Sequence, residues 1–361
     1  MIPTALPQSR VPGSRDAPVL RWGIMGPGWI AERFTESIQA HTGQVIAAVG
    51  SRSLSRSKAF ADSFGVPAAY GSYEELAAYG SYEELAAAPD IDVVYVCTPH
   101  TGHHAAALLA IDAGKHVLIE KPMGLNADQA RDIAARAEEA GVFAAEAMWT
   151  FFLPKFDVIR QILDAGTLGT ITTVIAEYGE HFDPSHRIFN PVLAGGPLLD
   201  LGTYPLALVT EMLGSPQQLA AVGQPHASGV NAQLSAIMQF DGGAQAVVNT
   251  QLHNFTPTAA TVVGTEATLT IDGPFNMPGG LEVRFPDGTR LRHDEPAGGH
   301  FEGLHYEAAA VARAIAAGGT EVNQRTLVAS IRTLEVADEI RRQIGVVFPG
   351  EAATPGRTAR H

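Results

Sequence analysis

The sequence predicts an α/β protein in two parts: an N-terminal doubly wound parallel sheet, then an α+β domain with a largely antiparallel open sheet. Three observations carry this. Within residues 91–124, two apolar runs rich in β-branched residues, Asp92-Val93-Val94-Tyr95-Val96-Cys97 and His116-Val117-Leu118-Ile119, flank a stretch of helix formers closed by Gly114. Runs of this kind are strands buried on both faces, and a strand, helix, strand unit requires a parallel sheet. The same alternation precedes it at residues 19–25 and 45–49 and follows it at 142–145, after a helix over 128–140. From residue 170 the character changes. Strand-like segments at 170–178, 218–222, 234–240, 244–252, 259–263, 267–271 and 281–285 succeed one another, with Asp241-Gly242-Gly243 and Asp287-Gly288 as turn signals. Helices are expected at 155–165, 202–213, 306–317 and 327–343.

At 361 residues the chain is long enough for two domains of roughly 150 residues each, and its 46% hydrophobic content suffices for real cores. The expected boundaries are 20–147 and 148–348, with a proline-rich flexible arm at 1–19, unlike a signal peptide or a membrane span, and a loose tail at 349–361. A formal charge of −14, with no local cluster of Lys and Arg, repels phosphate backbones and anionic lipid. Nucleic acid and membranes are therefore not expected partners. The single cysteine, Cys97, lies in a buried strand pattern and reads as a small core residue. With no disulfide available within the chain, a reducing compartment, the cytoplasm, is the expected location.

Between the first strand and the helix that follows stands Gly26-Pro27-Gly28-Trp29-Ile30-Ala31, a G-x-G-x-x-A pattern. Gly26 permits the tight turn, Gly28 lets backbone approach a pyrophosphate, and Ala31 allows close helix packing, with the helix N-terminus facing the phosphates. The second strand ends in Gly50-Ser51-Arg52-Ser53. An NAD site usually places an acid there for the ribose 2′-hydroxyl; here a guanidinium suits a 2′-phosphate, so NADP(H) is expected, with NAD(H) the alternative if Arg52 merely caps the strand. Ligands of open parallel sheets bind outside the carboxyl ends of the strands, which places Thr98-Pro99-His100 and Glu120-Lys121-Pro122 on one rim. On this triplet alone, Lys121 is equally a functional rim lysine or a solvated turn residue.

Residues 70–87 are an exact tandem duplication of Tyr-Gly-Ser-Tyr-Glu-Glu-Leu-Ala-Ala. A nine-residue shift at roughly 100° per residue would turn Leu76 and Leu85 to opposite faces of one helix, so two short helical turns broken at Tyr79-Gly80 are expected, as a surface insertion. Further on, Gly195-Gly196 precedes Asp200 and Tyr204, which four apart on a helix share a face. The plainer reading is a dipole-stabilising Asp and a core Tyr. His181, Asp183 and His186 lack a convergent third-ligand pattern, so no metal is expected.

Taken together, the chain resembles the glucose-fructose oxidoreductase, inositol dehydrogenase and rhizopine-catabolism (Gfo/Idh/MocA) family, and within it the branch of dihydrodiol and NADP-dependent xylose dehydrogenases. The resemblance spans residues 20–349 and rests on Gly26 to Ala31, Ser51-Arg52, Thr98-Pro99 with His103, Glu120-Lys121-Pro122, Glu146-Ala147-Met148-Trp149, Arg187 to Pro191 and Gly195 to Tyr204. It implies a Rossmann domain binding the dinucleotide through Gly26, Gly28, Trp29, Ile30, Ser51, Arg52, Thr98, Pro99, His103, Glu120 and Lys121. It further implies Lys121 beside the nicotinamide, a cis peptide before Pro122, Tyr204 as acid and base, Asp200 orienting substrate or the Tyr204 hydroxyl, and Trp149 and Arg187 lining the substrate pocket. His100 and His104 are expected to be solvated. The implied reaction moves hydride between nicotinamide and a secondary alcohol or carbonyl of a sugar, polyol or dihydrodiol. An NAD-dependent glycosidase and a non-catalytic NADP(H) sensor are the alternatives. Tyrosine's ordinary pKa of about 10 makes it a weak base, and a neighbouring Lys121 ammonium is expected to lower it; reaching about 7 takes roughly 4 kcal/mol. By fold analogy an exposed sheet face predicts a homo-oligomer, a dimer or tetramer.

Overall fold

The structure, a computed structural model, describes residues 2–71 and 80–351. The first part runs β1 (Arg21–Met25), α1 (Trp29–His41), β2 (Val45–Ser51), α2 (Leu54–Phe64), β3 (Ala68–Gly71), α3 (Gly80–Ala87), β4 (Val93–Val96), α4 (His103–Asp112), β5 (His116–Glu120), α5 (Ala127–Ala140) and β6 (Ala144–Ala147), its six strands forming one sheet. Its order is β3-β2-β1-β4-β5-β6 and every pairing is parallel. All residues of β4 and β6 are buried, as apolar runs covered by helices on both faces must be. Strand order reverses direction between β1 and β4, which opens a crevice at their carboxyl ends.

The duplication shows context overriding local sequence. In the first copy Tyr70-Gly71 pairs with Gly50-Ser51 as the end of β3, whereas the second copy forms α3, which buries Leu85 and Ala86. The expected break at Tyr79-Gly80 and the first copy's helical turn fall on residues 72–79, outside the described residues.

The second part begins with α6 (Pro154–Asp164) and β7 (Ile171–Gly179), then α7 (Pro197–Asp200), α8 (Thr203–Leu213), β8 (Gln218–Pro225), β9 (Asn231–Gln239), β10 (Gln245–Gln251), β11 (Ala260–Gly264), β12 (Thr268–Ile271), β13 (Leu281–Arg284), β14 (Arg290–His293), α9 (His300–Ala316) and α10 (Leu327–Ile344). The sheet runs β14-β13-β12-β11-β7-β10-β9-β8, antiparallel except where β7 meets β10. Alternation along these strands puts Val174, Ala176, Ala246, Val248 and Leu269 in the core. On the other face Ile175, Val222, Ile237 and Val247 are left exposed. One apolar core extends through both parts.

The arm expected to be flexible is packed. Leu6 and Ala17 are buried, Arg10 N donates to Asp157 Oδ2 at 2.7 Å, Arg313 donates to Gly13 O at 2.6 Å, and Ser14 Oγ meets His305 Nδ1 at 2.8 Å. A proline-rich segment makes no ladder of its own, so its order comes from bonds to α6 and α9, which periodicity does not register. The tail expected to be loose is held where described: Arg341 donates to Glu351 at 2.6 and 3.0 Å. Helix α9 also crosses to α1, where Ser37 Oγ donates to Phe301 O at 2.6 Å and accepts from His305 N at 3.0 Å. Among the described residues no single helix is long and apolar enough to cross a membrane.

Candidate active site

Around the first glycine the chain leaves β1 through a turn that only glycine fits. Gly26 has φ +101°, and a Cβ there would stand 2.9 Å from Cys97 O. Gly28 faces open space, with nothing within 4 Å of an added Cβ, ahead of the N-terminus of α1. At the end of the neighbouring strand β4, Thr98 Oγ1 is buried without a partner among the described residues. Ser51 is buried at the end of β2, Arg52 is exposed beside it, and one helical turn on Arg56 Nη2 lies 3.5 Å from Pro27 O. A backbone cradle, an unpartnered hydroxyl and two guanidinium groups with no acid paired to them among the described residues fit a dinucleotide carrying a 2′-phosphate. Arg56, in the first turn of α2, is not legible from the strand-end motif Ser51-Arg52; its spacing of four residues from Arg52 was the available signal.

His103 ties the segments after β4 and β5 together. Its Nδ1 lies 2.7 Å from Pro122 O and its Nε2 2.8 Å from Thr98 O, while burial lowers its pKa against the pull of both carbonyls. The Lys121–Pro122 peptide is cis. His100 is not solvated as expected: it is 5% exposed and edge-on to His103, its Nδ1 has no partner among the described residues, and Asp200, Arg187 and Lys121 are nearby. A short 3₁₀ turn before α4 rotates it inward. His104 is half-buried and bonded to Asp132 at 2.7 Å.

The amine of the first part and the phenol of the second do meet. Lys121 Nζ donates to Asp200 O at 2.8 Å and to Asp200 Oδ1 at 3.2 Å, and lies 5.0 Å from the centroid of the Tyr204 ring. Arg187 Nη2 pairs with Asp200 Oδ2 at 3.1 Å. Trp149 Nε1 donates to Tyr204 Oη at 3.1 Å, and Tyr178 lies against the other side with ring centroids 5.8 Å apart. The loop after Lys121 is fixed from behind by Glu146. That carboxylate accepts from Met123 N at 3.1 Å, Arg325 Nε at 3.0 Å and Ser330 Oγ at 2.7 Å.

Three expectations require correction. Asp200 and Tyr204 do not share one helix, because Leu201-Gly202 separates α7 from α8. A Cβ at Gly202 would sit 2.7 Å from Leu198 O, so the break needs glycine. Asp200 therefore meets Lys121 and Arg187, and no bond joins it to the Tyr204 hydroxyl among the described residues. Nor does Lys121 lower the Tyr204 phenol. Burial and the nearby Glu120 push it well above the ordinary tyrosine value, outweighing the Trp149 bond. The ammonium is spent on Asp200 instead: burial pushes that carboxyl upward, but Lys121 and Arg187 prevail and hold it well below the usual range. Glu120 accepts from Tyr95 Oη and from Lys121 N, and burial, opposed by Lys121, brings it up to about 7.

Trp149 is buried under α9, and its indole stacks on His300 with centroids 4.9 Å apart; Trp29 meets the same imidazole edge-on at 4.9 Å. His181 instead approaches His253 O at 3.2 Å, Asp183 accepts from Ser185 and His186 from Ile188 N. Among the described residues no three His, Cys, Asp or Glu side chains converge as metal ligands.

A glycine-lined crevice at the switch point of a parallel sheet, faced by a lysine, a carboxylate and a tyrosine, defines an NAD(P)-binding oxidoreductase. Comparison with known proteins gives the family. Residues 20–147 match the model described as "Oxidoreductase family, NAD-binding Rossmann fold", and residues 156–270 match "GFO/IDH/MocA C-terminal domain". The chain is 36% identical over 341 residues to trans-1,2-dihydrobenzene-1,2-diol dehydrogenase of Bos taurus, covering 91% of this chain and 98% of that one. The protein of the same name from Homo sapiens is 33% identical over 337 residues, with the same coverage. A 3-ketoreductase from Actinomadura kijaniata, crystallised with NADP and TDP-benzene, superposes with a TM-score of 0.76 at 25% identity over 91% of this chain and 98% of that chain. An aldose-aldose oxidoreductase from Caulobacter crescentus, complexed with glycerol, shares the fold with a TM-score of 0.78 at 22% identity over 90% and 97%. The chain belongs to the Gfo/Idh/MocA oxidoreductase family and is a hydride-transferring NAD(P)-dependent enzyme acting on CH–OH groups.

Proposed function

We propose that the protein is an NADP(H)-dependent dehydrogenase that interconverts a secondary alcohol and its carbonyl on a cyclic dihydrodiol or a sugar. The observation that carries this reading is the meeting of Lys121, Tyr204 and Trp149 at the mouth of the nucleotide crevice. A bound nicotinamide supplies or takes up the hydride. The phenol, kept neutral by burial, holds the proton that a carbonyl oxygen needs as it gains negative charge; in the reverse direction it first releases that proton to solvent, and the phenolate then receives the hydroxyl proton. The Trp149 N–H bonds the oxygen of the resulting phenolate, and the Lys121 ammonium faces its ring. Asp200, fixed as a carboxylate by Lys121 and Arg187, orients the ammonium.

Arg52 and Arg56 favour NADP(H) over NAD(H). The dihydrodiol dehydrogenase relatives support the diol class, and the aldose-aldose oxidoreductase neighbour supports the sugar class. The exposed row of Ile175, Val222, Ile237 and Val247 supports a homodimer through the second sheet, and the absence of any second cysteine is consistent with a cytoplasmic home. The test is purified protein with NADP⁺ or NAD⁺ and a panel of dihydrodiols, sugars and polyols. Nucleotide reduction with a dihydrodiol or sugar and a lower Kd for NADPH than for NADH are expected. No turnover with any of them contradicts the reading.

A further inference from the structure

His300 opens α9, after Gly298-Gly299, in a stretch without a family motif or a periodic pattern. Its imidazole is wedged between two indoles. Trp149, at an interplanar angle of 28°, lies flat on one face and donates its N–H to Tyr204 at 3.1 Å, while Trp29 comes from the nucleotide-binding turn, meets the ring at 79° and is 59% exposed. The ring thus lies one indole away from the Tyr204 hydroxyl and directly against the nucleotide turn. Among the described residues neither ring nitrogen has a hydrogen-bond partner. The charges that face it are Lys121, from the rim of β5, and Arg33, from α1. Burial and these two cations bring the imidazole down to about 4, so at neutral pH it offers one N–H donor and one bare acceptor nitrogen. Two aromatic walls fix its plane, and its unused polar edge remains.

We infer that His300 is a substrate-contacting specificity residue, whose neutral imidazole bonds a second hydroxyl on the substrate, next to the carbinol that Tyr204 serves. A group that gives and accepts one hydrogen bond matches a hydroxyl, which does the same, and an uncharged ring beside Lys121 adds no repulsion. The class of substrate selected is therefore a vicinal diol or polyol over a simple alcohol. This inference rests on the alcohol-oxidising reading above.

The test compares wild type with His300→Phe, which keeps an aromatic wedge between the tryptophans and removes both nitrogens, and with His300→Asn, which restores a donor and an acceptor. Steady-state kinetics are measured on a cyclic trans-diol and on the corresponding cyclic mono-alcohol, and the Kd for NADPH by tryptophan fluorescence. The preference for diol over mono-alcohol, as a ratio of kcat/KM, is expected to fall about tenfold in His300→Phe, chiefly through KM, and to recover in part in His300→Asn, with the Kd for NADPH within twofold of wild type. An unchanged ratio in His300→Phe, or equal loss on both alcohols, overturns the inference and leaves the dehydrogenase reading intact. A rise in the Kd for NADPH with the ratio preserved also overturns it, reassigning the imidazole to the nucleotide. Wild-type protein that oxidises neither alcohol with either nucleotide sinks the functional reading and this inference with it.

Discussion

Gly303 lies in the second turn of α9, where replacing glycine by alanine would ordinarily stabilise a helix by about 1 kcal/mol. Here a Cβ would stand 2.1 Å from Cζ3 and 2.6 Å from Cε3 of Trp149. Carbon atoms pack at about 3.6 Å, so in Gly303→Ala the indole must retreat by about 1.5 Å. It has little room to do so, being 2% exposed with His300 stacked on one face. Overpacking of this kind costs about 1–3 kcal/mol, which offsets the helix gain and leaves a net loss of up to about 2 kcal/mol. The larger effect is kinetic. The same indole holds the Tyr204 hydroxyl, and a misplacement of about 1 Å in a catalytic group costs about a hundredfold in rate. Chemical denaturation and steady-state kinetics on one preparation separate the two effects, with a loss in kcat of at least tenfold expected alongside a small loss of stability. A variant that gains about 1 kcal/mol and keeps wild-type kcat would refute the role given to Trp149.

Other perturbations test separate parts of the molecule. Replacing both Arg52 and Arg56 with alanine removes two charge-assisted contacts and is expected to raise the Kd for NADPH about ten- to a hundredfold while leaving that for NADH within twofold; parallel losses for both nucleotides would contradict the 2′-phosphate assignment. Glu146→Gln leaves the fully buried Arg325 without its counter-charge, and about 3–5 kcal/mol of stability should be lost by urea denaturation, whereas Glu146→Leu combined with Arg325→Leu should recover much of it. A neutral result for the single variant would mean the pair is not buried in solution. Burial and the neighbouring His41 bring His305 down to about 4, so the folded chain resists a proton that the unfolded chain takes up near 6.5. Stability should therefore fall as pH drops from about 6.5 toward about 4, and His305→Gln should flatten that slope in denaturation midpoints; superimposable curves would remove the assignment.

Much of the fold was legible because the physics was local. Strands β1, β4, β5 and β6 are buried on both faces and read as continuous apolar runs, and Gly26 announces its turn through a conformation only glycine adopts readily. Helix α2 and strand β3 passed unread: Leu-Ser-Arg-Ser-Lys-Ala-Phe-Ala-Asp-Ser-Phe carries a thin apolar stripe, and Ala68–Gly71 is a four-residue edge strand with no fully buried position. Strand β14, Arg290–His293, is another edge with one buried residue. The site divides in the same way. Lys121 and Tyr204 could be found by motif, but the break at Gly202 and the inward turn of His100 rest on local backbone geometry that no periodicity signals, and the placing of His300 between Trp29 and Trp149 depends on contacts across more than 100 residues. Likewise, the direction of the Tyr204 shift depends on burial and on Glu120, neither of which is adjacent in sequence. The expectation that a nearby lysine lowers a tyrosine omitted the carboxylate that claims the lysine first.

The proton-carrying role of Tyr204 is tested most directly by Tyr204→Phe, which removes one oxygen atom and preserves the ring against Tyr178 and Lys121. Turnover of the best dihydrodiol or sugar substrate is expected to fall by about 10²–10⁴-fold, with the Kd for NADPH unchanged. Near wild-type kcat in Tyr204→Phe, with nucleotide binding intact, would contradict it.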